Sequence, residues 1–293
     1  MQNAFINERV GMLNDTREQL IIDLQRIEEN DYELRSGEQL RDYVKLMLEY
    51  IGDPQPELRD NLIYSTFYKW TNEKQWFSDA ELRELLLILL DEQHLFYHIG
   101  SKEDQAVFTR TFSVLVVALI LQRHREKAFL DSAEFTNVKE ALIRYYEEEQ
   151  DLRGFMQEEG WAHAAAHGAD ALDELVLCSE SDAAIREEVL AVIQRMLYNN
   201  HQYIFSDEED ERMATIVATI IDHHLLPQQS IVDWVSSLEQ CGGWPRSRNK
   251  YVARVNTKNF LRSLYFRLLP TMKNQDMVNA LLKSEMKLNE FTQ

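Results

Sequence analysis

The chain has 293 residues, 45% of them hydrophobic, which is enough to bury a substantial core and excludes a disordered protein. Its 50 acidic and 31 basic residues give a formal net charge of −19. Proteins that bind nucleic acids or anionic membranes rely on Lys and Arg, so we expect neither kind of partner. The two cysteines, Cys178 and Cys241, have no CxxC spacing, and the N-terminus has no signal-peptide pattern. A cytoplasmic protein is therefore expected.

Apolar residues recur at the i, i+3, i+4 and i+7 spacing of amphipathic helices along the chain. Alternating β-branched runs with Asn-Gly or Asp-Gly turns are missing, and the prolines fall between the periodic segments. The pattern predicts an all-α protein. In chain order, the expected helices span residues 15–28, 36–51, 56–71, 79–94, 103–125, 133–149, 160–177, 181–199, 207–224, 228–241, 247–269 and 271–288. Side-chain N-caps are predicted at Asp15, Ser36, Ser78 and Asp207.

One of these helices contains the most apolar run of the chain, FSVLVVALIL, at residues 112–121. A membrane span needs about 20 such residues, and this run is about half as long. We therefore expect a helix that is buried within the protein.

The helices recur at a spacing that favours a repeat architecture. Strongly apolar or small-residue helices begin 44, 56, 50 and 46 residues apart, near Asp60, Asp104, Gly160, Asp210 and Asn256. HEAT-type helical repeats have periods of about 40 to 47 residues. The spacing predicts a right-handed, HEAT-like α-solenoid of about six helical hairpins, forming a single domain over residues 1–293. A globular bundle of the same helices is the alternative.

The sequence GWAHAAAHGAD at residues 160–170, called the His motif below, combines two histidines with small residues. On a helix over residues 160–177, at 100° per residue, Trp161 and several apolar side chains lie on the side that faces the core. Small residues, including the mid-helix Gly168, allow neighbouring helices to approach closely. We expect the polar stripe to face outward, on an inner helix of the solenoid. This stripe is about 60° wide and consists of His163, His167, Asp170 and Glu174.

The first functional interpretation is a binding or scaffold module for a small anionic molecule or a peptide. Two arginines, Arg110 and Arg262, interrupt apolar helices, and a buried arginine needs a partner. They would meet the anionic group in a concave groove, while the histidines orient it by hydrogen bonds. A structural ion pair with a carboxylate is the other interpretation of each arginine. The predicted groove residues are His163, His167, Asp170, Glu174, Arg110, Arg262 and Asn259.

The second interpretation is a metal-assisted hydrolase with a divalent metal as a possible cofactor. His163 and His167 are four residues apart, as in two-histidine zinc helices, and Asp170 could supply an oxygen ligand. Glu174 is then a candidate ligand or base. The zinc-protease pattern HExxH is not met because Ala164 takes the place of the glutamate. One helix also rarely supplies all three protein ligands of a metal. A solvated stripe without function is a third interpretation. The sequence therefore leaves open whether the protein is an enzyme.

The His motif and three other segments of the chain together resemble a known family. VFTRTFSVLVVALIL (107–121), PELRDNLIYSTFYKW (56–70) and NFLRSLYFRLL (259–269), with the His motif, resemble the bacterial family called domain of unknown function 2785. The likeness extends over about residues 40–270. It implies a cytoplasmic, all-α protein similar in kind to HEAT-like repeat proteins, and it implies no catalytic residues.

Overall fold

A computed structural model describes residues 2–199, 201–270 and 275–291, with side chains described from residue 16 onward. The described residues form twelve helices labelled α1 to α12, a short 3-10 helix (Leu238–Gly243) and a two-stranded hairpin, which confirms the predicted all-α class. Helix α3 consists of three consecutive helical segments, Glu57–Tyr64, Ser65–Tyr68 and Lys69–Glu73. The other elements are α1 (Gln2–Glu29), α2 (Leu40–Glu49), α4 (Asp79–Leu89), α5 (Ala106–Glu126), α6 (Ser132–Glu148), β1 (Phe155–Met156), β2 (Gly160–Trp161), α7 (Ala164–Leu177), α8 (Ala183–Leu197), α9 (Glu209–Asp222), α10 (Gln228–Ser237), α11 (Arg248–Leu268) and α12 (Gln275–Leu288).

The predicted cap at Ser78 is confirmed. Its hydroxyl accepts from the amide of Glu81, whose carboxylate accepts in turn from the Ser78 amide, so the two form a capping box. The predicted start at Asp15 is wrong, because α1 already begins at Gln2. A favourable capping residue can also lie inside a helix when no proline or strong breaker precedes it.

Two further predicted caps are displaced. Helix α2 begins after Gln39 rather than Ser36. Helix α9 begins after Glu208, which has a left-handed φ of 67°, and Asp207 lies one residue earlier. The chain turns sharply into α9 at these residues, and a sequence pattern does not report such a turn. Residues 271–274, the predicted start of the last helix, lie outside the described residues.

Alternate helices pack against one another in two layers. In the first layer α7 lies between α5 and α9, α9 contacts α11, and α3 packs on the far side of α5. In the second layer α6 contacts α8, and α10 contacts α12. An ion pair between Arg83 and Glu134 joins α4 to α6. The indole of Trp234 donates to the carbonyl of Leu190 at 3.0 Å and joins α10 to α8.

Helix α5 is buried along almost its whole length, as the apolar run at 112–121 predicts. By length and composition it is also apolar enough to cross a membrane, but 83% of its most apolar window is covered by the rest of the protein. The helix lies between α3 and α7 within the first layer and also contacts α4. Its apolar surface is therefore core surface of this fold.

The small residues of α7 permit close contact with α6. The hydroxyl of Tyr146 donates to the carbonyl of Ala165 at 2.7 Å, and that of Tyr145 donates to Ala164 at 3.4 Å. A Cβ atom on Gly168 would lie 2.6 Å from Cε2 of Tyr146. The two tyrosines thus occupy the space that larger side chains on α7 would fill.

Candidate functional site

The beginning of the His motif is not helical, which corrects the predicted helix over residues 160–177. Gly160 has a φ of 74°, and Trp161 belongs to strand β2. His163 precedes the helix with a left-handed φ of 55°, so α7 begins at Ala164. Trp161 was expected in the core but is 39% exposed. Trp161 and His163 therefore lie outside the helix, and their predicted positions around its axis are wrong.

The physical reason is a hairpin that competes with the helix for the same backbone groups. Phe155 in β1 pairs with Trp161 in β2. The amide of His163 donates to the carbonyl of Arg153 at 2.9 Å, which continues the pairing beyond the strands. A helix through residues 160–163 would give up these bonds.

The two histidines still lie together, with ring centroids 5.5 Å apart. Nε2 of His163 donates to the carbonyl oxygen of Asp207 at 2.7 Å, which places the proton of the neutral ring on Nε2. Burial lowers the pKa of His163 and brings that of His167 well below its ordinary value. Both rings are therefore neutral at pH 7.

His167 is half-buried against the edge of Phe112, at a centroid distance of 5.4 Å. Its Nδ1 atom is buried without a hydrogen-bond partner among the described residues. Burial is the main cause of the lowered pKa of His167, and the positive charge of neighbouring groups such as Arg212 lowers this pKa further. The ring is thus a neutral, partly apolar side chain with one unused polar atom.

Asp170 lies on the side of α7 that faces α9. One carboxylate oxygen accepts from Arg212 of α9 at 2.9 Å. Burial nevertheless raises the pKa of Asp170 to about 6. Burial raises the pKa of Tyr64 in α3 to about 12, and the charge of Asp170 adds to this rise. Asp170 and Arg212 thus join α7 to α9, and the charge of Asp170 reaches Tyr64 in α3.

Glu174 lies one helical turn further along α7 and pairs with Arg125 of α5 at 2.8 Å. Burial raises its pKa despite this partner. Burial also raises the pKa of the neighbouring Asp173, whose Oδ1 atom is buried without a partner among the described residues. The stripe thus continues as a row of partly desolvated carboxylates.

The predicted groove arginines have partners elsewhere in the protein. Each of the three guanidinium nitrogens of Arg110 donates to protein atoms, chiefly to Glu149. Arg262 pairs with Glu285 of α12 at 2.6 Å, and Asn259 is half-buried one turn earlier on α11. An anion at Arg110 or Arg262 would have to displace a carboxylate that the protein already supplies.

Glu209, which was not among the predicted site residues, lies close to His163. Its side chain is 1% exposed, and its Oε1 atom lies 4.0 Å from Nε2 of His163. Oε1 has no hydrogen-bond partner among the described residues, whereas Oε2 accepts from the amide of Asp207 at 2.8 Å. Burial raises the pKa of Glu209 to about 7. No sequence signal distinguishes it, because it belongs to an acidic run at the start of α9.

Arg59 is the second residue that was missed. Its side chain is fully buried and lies over the ring of Phe108, 4.0 Å from the centroid. It donates to the carbonyls of Asp53 and Glu159, each at 2.7 Å. The charge between apolar positions of LRDNLI is a signal that could have found it, by the reasoning that pointed to Arg110.

Among residues 16–199, 201–270 and 275–291, no group of three or more His, Cys, Asp or Glu side chains is placed to hold a metal ion. His163 and His167 are close, but Asp170 pairs with Arg212. The metal-assisted hydrolase stays a prediction from the sequence. A groove of about 560 Å³ lies elsewhere, between α2 and α4.

The comparisons with known proteins identify a family and no function. The family model described as "Protein of unknown function (DUF2785)" matches residues 95–266, more than half of the chain. This span includes the His motif and the first-layer helices α5, α7 and α9. No significant match was found among curated proteins or among solved structures. The chain belongs to the DUF2785 family of proteins of unknown function.

Proposed function

We propose that the protein is a polypeptide-binding module built as a right-handed, HEAT-like α-solenoid of about six helical hairpins. The succession of contacts from α5 to α7, α9 and α11 supports this architecture. In a solenoid each hairpin contacts mainly its neighbours, and the helices of one layer line a concave surface suited to binding. We assign the first layer to that concave side.

A row of ion pairs across the first layer carries the proposal. Each pair joins two neighbouring helices and leaves its arginine side chain at least one-third exposed. Because the arginine of each pair is solvated, we expect each pair to contribute on the order of 1 kcal/mol or less to the stability of the fold. The pairs are Arg125–Glu174, Arg212–Asp170 and Arg267–Glu211.

The charge of this surface favours a basic segment as the partner. Two more carboxylates, Asp173 and Asp210, lie on the same helices, so acidic groups outnumber the three arginines. Burial raises the pKa of both aspartates. An incoming cation would stabilise their ionised forms. We call these eight side chains the groove face: Arg125, Asp170, Asp173, Glu174, Asp210, Glu211, Arg212 and Arg267.

The anionic ligand predicted from the sequence is the alternative partner. Because Arg110 and Arg262 are paired with Glu149 and Glu285, the anion would bind best at Arg212, the most exposed of the three first-layer arginines at 53%. It would compete there with Asp170. The charge of the groove face therefore favours the basic segment.

Fluorescence anisotropy with labelled 12-residue peptides tests the proposal. One peptide alternates Gly and Arg, and the other alternates Gly and Glu. We expect the basic peptide to bind the wild type, and Asp170→Asn/Glu211→Gln to weaken binding at least about fivefold. The control is Glu147→Gln/Glu188→Gln, which changes the net charge equally but removes ion pairs with Arg195 and Lys139 in the second layer.

Equal weakening by the two double variants would contradict the proposal, since binding would then follow net charge alone. Binding of the acidic peptide, weakened by Arg212→Gln, would favour the anionic alternative. A circular dichroism melt of each variant verifies that the fold is retained.

A further inference from the structure

Two large aromatic side chains lie exposed and adjacent on the β1–β2 hairpin. Phe155 is 55% exposed and Trp161 is 39% exposed. They are direct cross-strand partners, and their ring centroids are 4.9 Å apart in an edge-to-face arrangement. Single exposed apolar residues are ordinary, whereas adjacent exposed rings often mark a binding site.

The hairpin is fixed by buried groups, so the rings are held in place. The guanidinium of Arg59 donates to the carbonyls of Glu159 and Trp161, at 2.7 and 3.4 Å. The Trp161 ring stacks on His163 at 4.6 Å, and His163 is held by the carbonyl of Asp207. A ligand that binds these rings would not have to order a flexible loop.

The hairpin and the start of α9 carry acidic residues close to the groups that hold the aromatic pair. The hairpin turn carries Glu158, which is exposed, and Glu159, whose charge acts on Arg59. The charges of Asp207 and Glu208 act on His163 from the start of α9. Acidic groups are thus present in the hairpin turn and at the start of α9, next to the residues that hold the rings.

The cations nearest to the hairpin are already engaged. Arg59 is fully buried, with an ion pair to Asp60. Arg153 pairs with Asp151 at 2.7 Å. Arg212, whose charge also acts on His163, pairs with Asp170 at 2.9 Å. His163 is neutral at pH 7. Nothing in this set offers a free positive charge to an anionic ligand, and exposed aromatic faces beside carboxylates suit a cation.

We propose that Phe155 and Trp161 form a subsite for the arginine or lysine side chain of a partner polypeptide. The cation would lie against the exposed aromatic rings, with the carboxylates of Glu158, Glu159 and Glu208 nearby. The subsite belongs to the hairpin that precedes α7 and shares no residue with the groove face. It therefore does not depend on the function proposed for that face.

Fluorine NMR on the wild-type protein tests the subsite directly. The five tryptophans are replaced biosynthetically by 5-fluorotryptophan, and the Trp161 resonance is assigned by its absence in Trp161→Phe. The probe is N-acetyl-arginine amide, and the control compound is the uncharged N-acetyl-citrulline amide. We expect a saturable shift of the Trp161 resonance with the arginine compound, and no saturable shift of the other four.

Absence of a saturable shift, or an equal response to citrulline, would overturn the proposal. Phe155→Leu should weaken binding of the arginine compound at least about threefold. The matched control is Phe266→Leu on α11, where the ring is 68% exposed but lies outside the hairpin. A similar loss in both variants would also contradict the subsite. Because this assay uses no groove-face variant, failure of the groove-face proposal remains distinguishable from failure of this one.

Discussion

Arg110 and Glu149 form an ion pair from which solvent is excluded. Nε of Arg110 lies 2.6 Å from one carboxylate oxygen and Nη2 lies 2.8 Å from the other, and neither side chain is exposed. The same carboxylate accepts from the amides of Gln150 and Asp151, both at 2.9 Å. The pair joins the first turns of α5 to the end of α6. The charges thus replace their lost hydration with directed hydrogen bonds.

We expect Glu149→Gln to lower the free energy of unfolding by about 3–5 kcal/mol, because it leaves a buried guanidinium without a counter-charge. Urea unfolding measures this loss. The preceding residue provides the control: Glu148 pairs with Arg144 on the surface, and Glu148→Gln should cost less than about 1 kcal/mol. Equal losses of unfolding free energy in the two variants would mean that the buried pair stabilises the protein no more than the surface pair does.

Gly168→Ala is expected to destabilise the protein although alanine is the better helix former. The added Cβ would lie 2.6 Å from the Tyr146 ring and 3.0 Å from the Tyr145 ring. Overpacking of this kind costs about 1–3 kcal/mol, more than the gain in helix propensity of up to about 1 kcal/mol. Thermal unfolding should show a lower midpoint. Gly243→Ala should leave the midpoint nearly unchanged, because no atom of the described residues lies within 4 Å of the added Cβ.

Glu209 predicts a specific pH dependence of stability. Its pKa is raised to about 7 in the folded protein, so the folded state holds this proton more tightly than the unfolded state does. The stability of the wild type should therefore fall as pH rises from about 4.5 to 7. Glu209→Gln removes this contribution, and its stability relative to wild type should rise by roughly 2–3 kcal/mol between pH 4.5 and 8.

Urea unfolding at several pH values measures the difference for Glu209. The exposed neighbour Glu208 is the control, and Glu208→Gln should follow the wild-type pH profile. If the difference in unfolding free energy between Glu209→Gln and wild type stays constant over this pH range, the pKa of Glu209 is not raised by burial and the prediction is wrong.

Arg59→Lys is expected to loosen the β1–β2 hairpin. Lysine cannot donate at once to Asp53 and Glu159 with the fixed fork geometry of arginine. Amide hydrogen exchange of the hairpin should accelerate at least about tenfold beyond any change in α9. Arg144→Lys, where the arginine lies over Phe96 at the surface, is the matched control and should leave the hairpin unchanged.

The fold class followed from the sequence because hydrophobic periodicity reports helices directly. The same reasoning identified Ser78 as a cap and residues 112–121 as a buried helix, both confirmed. It could not locate the true start of α7, because the hairpin bonds that end at His163 join residues which only the fold brings together. The HEAT-like solenoid stays a proposal.

The candidate site was predicted only in part. His163 and His167 do lie together, but His163 is positioned by the hairpin and His167 by α7, so they do not share one helical stripe. The partners that determine the chemistry, such as Arg212 for Asp170, lie more than forty residues away in the sequence. Helical spacing carries no information about such pairs, and Glu209 had no distinguishing pattern at all.

The burial of α5 has a consequence during biosynthesis. The helix ends at Glu126, and α7, the helix that it contacts most, is complete only at Leu177. At about 5–20 residues per second, the ribosome needs several seconds to make the residues between them. During that interval an apolar helix without its main neighbour is exposed to aggregation. Protein that is truncated before α7 should therefore depend on chaperones far more than the full chain does.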